Sequence, residues 1–263
     1  MDDEQFIAHV GARLAALPSV TAVTLGGSRA AGTHRPDSDW DFSIYYRGDF
    51  DPQTLRDLGW PGEVSELGGW GGGVFNGGAW LEIDGRRSDV HYRDLDEVER
   101  VIAAAEKGEF EVQPLFFHLA GLPSYFALAE LAVRRVLAGE LPEVRFPAAL
   151  RVSVPRRWWE QAAAEFRYAR DYHGAAGRLT QCLGLAARAT SCAAHAVLAT
   201  RGEWVTNEKR LIASAGLAEV DEILAEALPE PAVLRDVIDR AYVLCAAALR
   251  SAGTDAGIPT PLD

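Results

Sequence analysis

The stretch GSRAAGTHRPDSDWD occupies residues 27–41 and lies between two predicted strands, 20–25 and 42–46. The first of these strands is a run rich in β-branched residues that ends at Gly26 and Gly27, and the second begins at Phe42. Both assignments follow from strand-like composition bounded by turn residues. The polar groups of the stretch are therefore expected at one edge of a sheet, held by a strand on either side.

The beginning of this stretch has the composition of a phosphate-binding loop. Gly26 and Gly27 let the backbone approach a ligand closely, and the N–H groups that follow can donate to phosphate oxygens. The Ser28 hydroxyl is available to the same oxygens. Arg29 and Arg35 are either further phosphate contacts or solvated loop residues.

The end of the stretch places two carboxylates on one face. Asp39 and Asp41 are separated by one residue, and alternate residues of a strand point to the same side. Two carboxylates so placed repel each other unless a cation lies between them, and hard divalent ions prefer oxygen ligands. Trp40 and Phe42 are expected to face the core. The pattern predicts a metal-binding strand edge.

A third carboxylate is expected from a neighbouring strand. Residues 79–84 and 87–93 are predicted to form a hairpin around the turn at Asp84-Gly85. Asp89 is the preferred candidate because its strand alternates, with Glu82, Asp84 and Asp94 as alternatives. Three carboxylates would supply either a two-metal or a metal-and-base arrangement for phosphoryl transfer.

The spacing within residues 27–41 resembles that of a known superfamily. Gly-Ser, three residues, Gly, five residues and Ser-Asp-x-Asp is similar to the motif of the DNA polymerase beta-like nucleotidyltransferases. This resemblance implies a small mixed sheet with helices and an NTP such as ATP bound through Mg²⁺. It also implies transfer of a nucleoside monophosphate to an acceptor, with release of pyrophosphate.

The two halves of the chain differ in composition. Residues 1–122 mix strand-like runs with glycine-rich connections, whereas residues 123–263 are dominated by Ala, Leu, Arg and Glu with helical spacing. We predict an α+β protein: a small mixed-sheet domain over 1–122, followed by an all-α helical-bundle domain over 123–263. Expected helices include 124–138, 155–173 and 231–251, the last two beginning at a proline.

This layout resembles the aminoglycoside adenylyltransferases that modify streptomycin and spectinomycin. The resemblance implies that Asp89 is the base that deprotonates the acceptor hydroxyl, where the streptomycin enzymes have Glu. It further implies that Arg188 and Lys209, in the helical half, contact the triphosphate. Gly27 and Ser28 would bind the nucleotide, and Asp39, Asp41 and Asp89 would hold the metal and carry the catalysis.

Residues 68–78 contain seven glycines among eleven positions. Such a segment is either a flexible surface loop or a loop on the substrate side that carries Trp70 and Phe75.

The charge balance narrows the choice of partner. The chain has 26 Lys and Arg against 38 Asp and Glu, a formal net charge of −12. This excess argues against a nucleic acid held by its phosphates and favours cations, either metal ions or a positively charged small molecule. We expect no membrane span and no disulfide framework, and hence a cytoplasmic protein.

Three functional hypotheses follow. The first is an Mg²⁺-dependent transferase of AMP from ATP to a hydroxyl of a small molecule, most favourably an aminoglycoside-like antibiotic, which would confer antibiotic resistance. The second keeps the chemistry but modifies a protein or a tRNA, as in toxin–antitoxin relatives. The third is a catalytically silent nucleotide-binding regulator. Identification of the acceptor would distinguish the first hypothesis from the second.

Overall fold

The structure, a computed structural model, describes residues 1–71, 73–115 and 117–253. The chain forms two compact units. The first unit consists of residues 1–103 and 127–145, and the second of residues 104–126 together with the chain from 146 onward. The first unit contains a mixed sheet and the second is largely helical, which confirms the α+β class.

The first unit is built on one mixed sheet. The strands of the chain are β1 (Val20–Leu25), β2 (Trp40–Tyr46), β3 (Gly62–Val64), β4 (Gly78–Ile83), β5 (Arg86–Asp94), β6 (Val112–Leu115), β7 (His118–Pro123) and β8 (Arg135–Ala138). Six of them form the sheet in the order β3-β4-β5-β2-β1-β8. The β2–β5 pair is parallel, whereas the other neighbours are antiparallel. The expected hairpin is β4–β5.

Helices cover the sheet and fill the second unit. They are α1 (Asp3–Ala15), α2 (Gly27–Ala30), α3 (Pro52–Arg56), α4 (Leu95–Ala105), α5 (Phe126–Val133), α6 (Ala148–Tyr168), α7 (Leu179–Arg201), α8 (Leu211–Ser214), α9 (Val220–Ala225) and α10 (Pro231–Ser251).

Helix α1 closes one face of the sheet. Its first turn is fixed by a capping box in which Asp2 and Gln5 exchange hydrogen bonds with each other's backbone N–H. Phe6 lies edge-on to Trp40 and to Phe42, with ring centroids 4.9 and 6.2 Å away. Trp40 and Phe42 therefore face this core, as predicted, and Asp41 between them faces the other side of the sheet.

The helix expected over 124–138 is shorter than its composition suggested. It ends at Val133, and Arg135–Ala138 instead forms strand β8, which pairs with β1. The hydrogen bonds that β1 offers at the sheet edge outweigh the local helical preference of this segment. Residues 112–123 contain a two-stranded hairpin in which β6 pairs with β7.

The helix expected to begin at Pro155 begins earlier. Helix α6 starts at Ala148, and Pro155 lies inside it, where it cannot donate a backbone hydrogen bond. Leu150 and Val154 precede the proline and are both fully buried, so extending the helix continues its apolar face. The expectation for 231–251 is confirmed, since α10 spans Pro231–Ser251.

Helix α7 is long and apolar enough to cross a membrane by length and composition, and in its apolar window 72% of the residues are buried within the protein. A core helix of a soluble domain has the same properties, so this one helix is weak evidence for a span. Its Cys182 and Cys192, with Cys245 on α10, are buried free thiols.

Candidate active site

The Gly-Ser loop is attached to the carboxylate strand by its backbone. The Gly26 N–H donates to the Asp41 carbonyl oxygen across 2.7 Å. Gly27 has φ +60°, and a Cβ built on it would lie 1.8 Å from Asp41 Oδ2. The loop therefore lies against the Asp41 carboxylate in a way that no side chain at position 27 would allow.

Asp41 and Asp89 are neighbours across the parallel strands. The β2–β5 register pairs Asp41 with Asp89, so both side chains point to the same face of the sheet. Both residues are half-buried, and the strand residues on either side of them, Trp40, Phe42, Ser88 and Val90, are buried. The expectation that Asp89 shares a face with the motif carboxylates agrees with this register.

Asp39 lies one residue before β2 and has a cation beside it. Its Oδ1 is 3.0 Å from Nε of Arg87. That oxygen is inaccessible to solvent and accepts no hydrogen bond within the described residues. Arg87 itself is largely exposed, and such ion pairs contribute only about 0–1 kcal/mol, so another cation can replace the guanidinium at little cost.

The charge on Asp39 affects the ionisation of Asp89. The pKa of the Asp89 carboxyl is raised to about 6, mainly by burial and also by the nearby Asp39 charge, with Arg87 partly offsetting the rise. Mutual repulsion of carboxylates is the electrostatic situation that a bound cation relieves.

Arg29 holds the loop that carries Asp39. Its Nη2 donates to the Ser38 carbonyl across 2.7 Å, and its Nε lies 3.2 Å from the carbonyls of both Ser38 and Asp39. Its guanidinium lies over the Trp40 ring, 3.8 Å from the centroid. In this structure Arg29 therefore positions the loop, whereas Arg35 forms an exposed ion pair with Asp37.

Asp39 and Asp89 line a cleft of about 530 Å³ in the first unit. Its lining includes Asp39 and Asp89 together with Trp80 and Glu82 of β4 and Arg87 of β5. Sequence reasoning missed Trp80 and Arg87 as site residues. Arg87 could have been found from the sequence, because it lies two residues before Asp89 on one strand and so shares its face. The place of Trp80 in the site depends on the β4–β5 register, which the sequence does not show.

The glycine-rich segment forms turns beside this cleft. Its residues are described except for Gly72. Gly68 N–H donates to the carbonyl and side-chain oxygens of Asn76, and Asn76 donates in turn to the Tyr46 hydroxyl. Trp70 stacks on Trp80 with ring centroids 4.8 Å apart. A substrate-side role for the segment stays a prediction.

The carboxylates of the site are chemically suited to bind a divalent cation. Within residues 1–71, 73–115 and 117–253, however, no group of three His, Cys, Asp or Glu side chains is arranged closely enough to hold a metal ion. Carboxylate oxygens from Asp39, Asp41 and Asp89 are the ligands that hard cations prefer. The buried Asp39 Oδ1 accepts no hydrogen bond within the described residues, and its ion-pair partner is the largely exposed Arg87 guanidinium, which a metal ion could replace.

Arg188 and Lys209 both belong to the second unit. Arg188 lies on α7, where it forms an ion pair with the buried Glu165 of α6, Nη1 to Oε1, across 3.1 Å. Lys209 lies in the 3₁₀ turn Glu208–Arg210, capped by the Asn207 side chain. Arg188 is exposed, and its guanidinium is paired with the buried Glu165 carboxylate. Contact of either Arg188 or Lys209 with a triphosphate remains a prediction.

Comparison with known proteins identifies the class of the motif region. Residues 10–70 match the model of the nucleotidyltransferase domain family. This part of the chain is therefore similar to nucleotidyltransferase domains; the match includes Gly27, Ser28, Asp39 and Asp41 and ends before Asp89.

Other comparisons add little beyond this domain. No curated protein matches the chain at a significant level. A solved structure, a nucleotidyltransferase-like protein from Exiguobacterium sibiricum, is 12% identical with a TM-score of 0.42. The alignment covers 95% of this chain and 75% of that one. The class therefore rests on the family model and on the site itself.

Proposed function

We propose that the protein is a divalent-metal-dependent nucleotidyltransferase that transfers AMP from ATP to a hydroxyl of a small cationic molecule. An aminoglycoside-type antibiotic is the acceptor class, and the reaction would take place in the cytoplasm. The observation that carries the proposal is the packing of Gly27 against Asp41, with Asp89 beside Asp41 on the parallel strand.

Each residue has a role in this reaction. Gly27 and Ser28 bind the triphosphate, and Asp39 and Asp41 hold Mg²⁺, with Asp89 as a third oxygen donor. When bound, the ion neutralises phosphate charge and orients the α-phosphorus. The acceptor oxygen bonds to the α-phosphorus, the bond from that phosphorus to the departing pyrophosphate breaks, and Asp89 accepts the hydroxyl proton.

The net charge favours this acceptor over tRNA. With 38 acidic against 26 basic residues, the chain attracts cations rather than the tRNA backbone. The excess does not decide against a protein acceptor, so protein and tRNA both belong in the test.

The acceptor can be found by labelling. The protein is incubated with Mg²⁺ and ATP labelled at the α-phosphorus, together with streptomycin, spectinomycin, kanamycin, a protein mixture or tRNA in separate reactions. We expect label on a small cationic acceptor. Label on protein or tRNA alone would support the toxin-like alternative, and no label on any acceptor would support a silent nucleotide-binding protein.

A further inference from the structure

The strand order of the first unit arranges the site residues in a sequence across the sheet. From β1 to β4 the order is β1-β2-β5-β4. The Gly-Ser loop follows β1, Asp41 lies on β2 and Asp89 on β5. Position 80 on β4 is the register partner of Asp89, so Trp80 lies on the side of Asp89 away from the nucleotide loop.

This order separates the two substrates. If the triphosphate lies at the Gly-Ser loop and Asp89 takes the acceptor proton, an acceptor reaches Asp89 from the β4 side. The residues that it meets there are Trp80 and Glu82, both of which line the cleft. They are two residues apart on β4 and therefore share a face.

Trp80 has an exposed aromatic surface in this cleft. Its side chain is 46% exposed, although it lies within a sheet, and Trp70 stacks on it without lining the cleft. Trp70 also lies edge-on to the His91 ring, with ring centroids 5.9 Å apart, which supports the stacked pair from behind. A fixed indole with free surface is suited to a saturated ring or to a cation over its face.

The charges of the cleft select a cation. Its lining carries the carboxyl groups of Asp39, Glu82 and Asp89 against one guanidinium, that of Arg87. Arg87 is occupied by Asp39, whereas the Glu82 carboxylate makes no ion pair or hydrogen bond within the part of the chain that the structure describes. Glu82 is thus left with its charge facing the cleft.

We propose that Trp80, backed by Trp70, and Glu82 form the acceptor subsite, which takes a small molecule bearing a protonated amine or guanidine on a saturated ring. The inference rests on the proposed transferase function for the position of the acceptor, but its binding step requires no turnover. Trp80 contacts the ring or its cation, Glu82 pairs with the positive charge, and the acceptor hydroxyl is thereby directed toward Asp89.

Calorimetric titration without ATP tests the subsite. Streptomycin, spectinomycin and kanamycin are the cationic probes, and myo-inositol is the neutral one. We expect at least one cationic probe to bind and myo-inositol not to bind. The variants Trp80→Ala and Glu82→Gln should each weaken binding by on the order of tenfold, with Trp80→Phe retaining most of it.

Asp49→Asn is the matched control, because it removes an exposed carboxylate of the same unit outside the cleft. Thermal unfolding of each variant verifies the fold, and the isosteric Glu82→Gln keeps the test valid if Trp80→Ala unfolds. The proposal is overturned if no cationic probe binds, or if Glu82→Gln weakens binding no more than Asp49→Asn does.

The titration also separates this inference from the proposed function. Binding that depends on Trp80 and Glu82, without label transfer to any acceptor, would support the subsite and contradict the transferase. Label transfer to an acceptor whose binding is unchanged in both variants would support the transferase and contradict the subsite.

Discussion

Glycine at position 27 is required by Asp41 as well as by the turn. Its φ of +60° favours glycine on backbone grounds, and Gly32 in the same loop has a similar φ of +67°. Only at position 27 would a Cβ meet the carboxylate, 1.8 Å from Oδ2, whereas position 32 has open space around it. A comparison of the two positions therefore distinguishes the effect of backbone strain, which both share, from the effect of contact with Asp41, which only position 27 has.

The paired variants Gly27→Ala and Gly32→Ala test this distinction. Both should lower the free energy of unfolding by roughly 1–2 kcal/mol because of the positive φ. Only Gly27→Ala should displace Asp41 and weaken Mg²⁺-dependent ATP binding, which equilibrium dialysis measures. Equal loss of ATP binding in both variants would show that the contact with Asp41 is unimportant.

The sequence predicts the site where the residues are close along the chain. The Gly27 to Asp41 motif fixes its own geometry, because two strands hold a short connection at both ends. Trp80 and Arg87 join the site through the register of β4 on β5, which a hydrophobic pattern specifies only weakly on a face that carries polar groups. The role of Arg29 could not be predicted, because its hydrogen bonds go to backbone carbonyls, which leave no mark in the sequence.

At the scale of elements, helices α6 and α7 of the second unit enclose a histidine. His195 of α7 is 3% exposed and stacks on Trp158 of α6, with ring centroids 4.8 Å apart. Its Nδ1 has no hydrogen-bond partner within the described residues. Burial, together with the smaller effect of the nearby His118, lowers the pKa of His195 from 6.5 to about 3. The histidine is therefore neutral in the folded protein at neutral pH.

This buried imidazole makes the fold sensitive to acid. As the pH falls from about 6.5 toward 3, the unfolded chain binds a proton at His195 that the folded protein does not bind. The contribution of neutral His195 to stability is complete above pH 6.5 and decreases below it, by up to about 1.4 kcal/mol per pH unit. Urea unfolding at a series of pH values measures this slope, which His195→Leu should reduce.

His34→Asn serves as the control, because His34 is an exposed histidine whose replacement should leave the slope unchanged. An identical slope in the wild type and His195→Leu would contradict the assignment of acid sensitivity to this residue.

Elements were predictable where local and tertiary preferences agree. The β4–β5 hairpin has alternating apolar and polar residues and an Asp84-Gly85 turn. Helix α10 has a proline in its first turn and a buried apolar face. The predictions for strand β8 and for the start of α6 were wrong because tertiary contacts determine both elements. Strand β8 forms by pairing with β1, and α6 starts early because this buries Leu150 and Val154. Composition cannot reveal either contact.

At the scale of the whole molecule, the excess of acidic residues is also found locally, in the cleft of the first unit. The cleft that contains Asp39 and Asp89 also contains Glu82, and Arg87 supplies the only guanidinium among its lining residues in the described chain. An excess of carboxylates at the site suits a metal ion and a cationic acceptor together. The net charge of −12 thus agrees with a transferase that binds one nucleotide and not a polynucleotide.

The central claim is that the carboxylates of the first unit direct nucleotidyl transfer, and the position of the transferred label tests it most directly. Parallel reactions use ATP labelled at the α-phosphorus or at the γ-phosphorus, with Mg²⁺, the acceptor found in the panel, and either wild type or the isosteric variants Asp39→Asn and Asp41→Asn. We predict that only the α-label reaches the acceptor and that transfer by the wild type requires Mg²⁺. Each variant should lower the rate of transfer by at least about a hundredfold, while its thermal unfolding temperature stays near that of the wild type. Transfer of γ-label, or α-label transfer at the wild-type rate by folded Asp39→Asn and Asp41→Asn, would contradict the account.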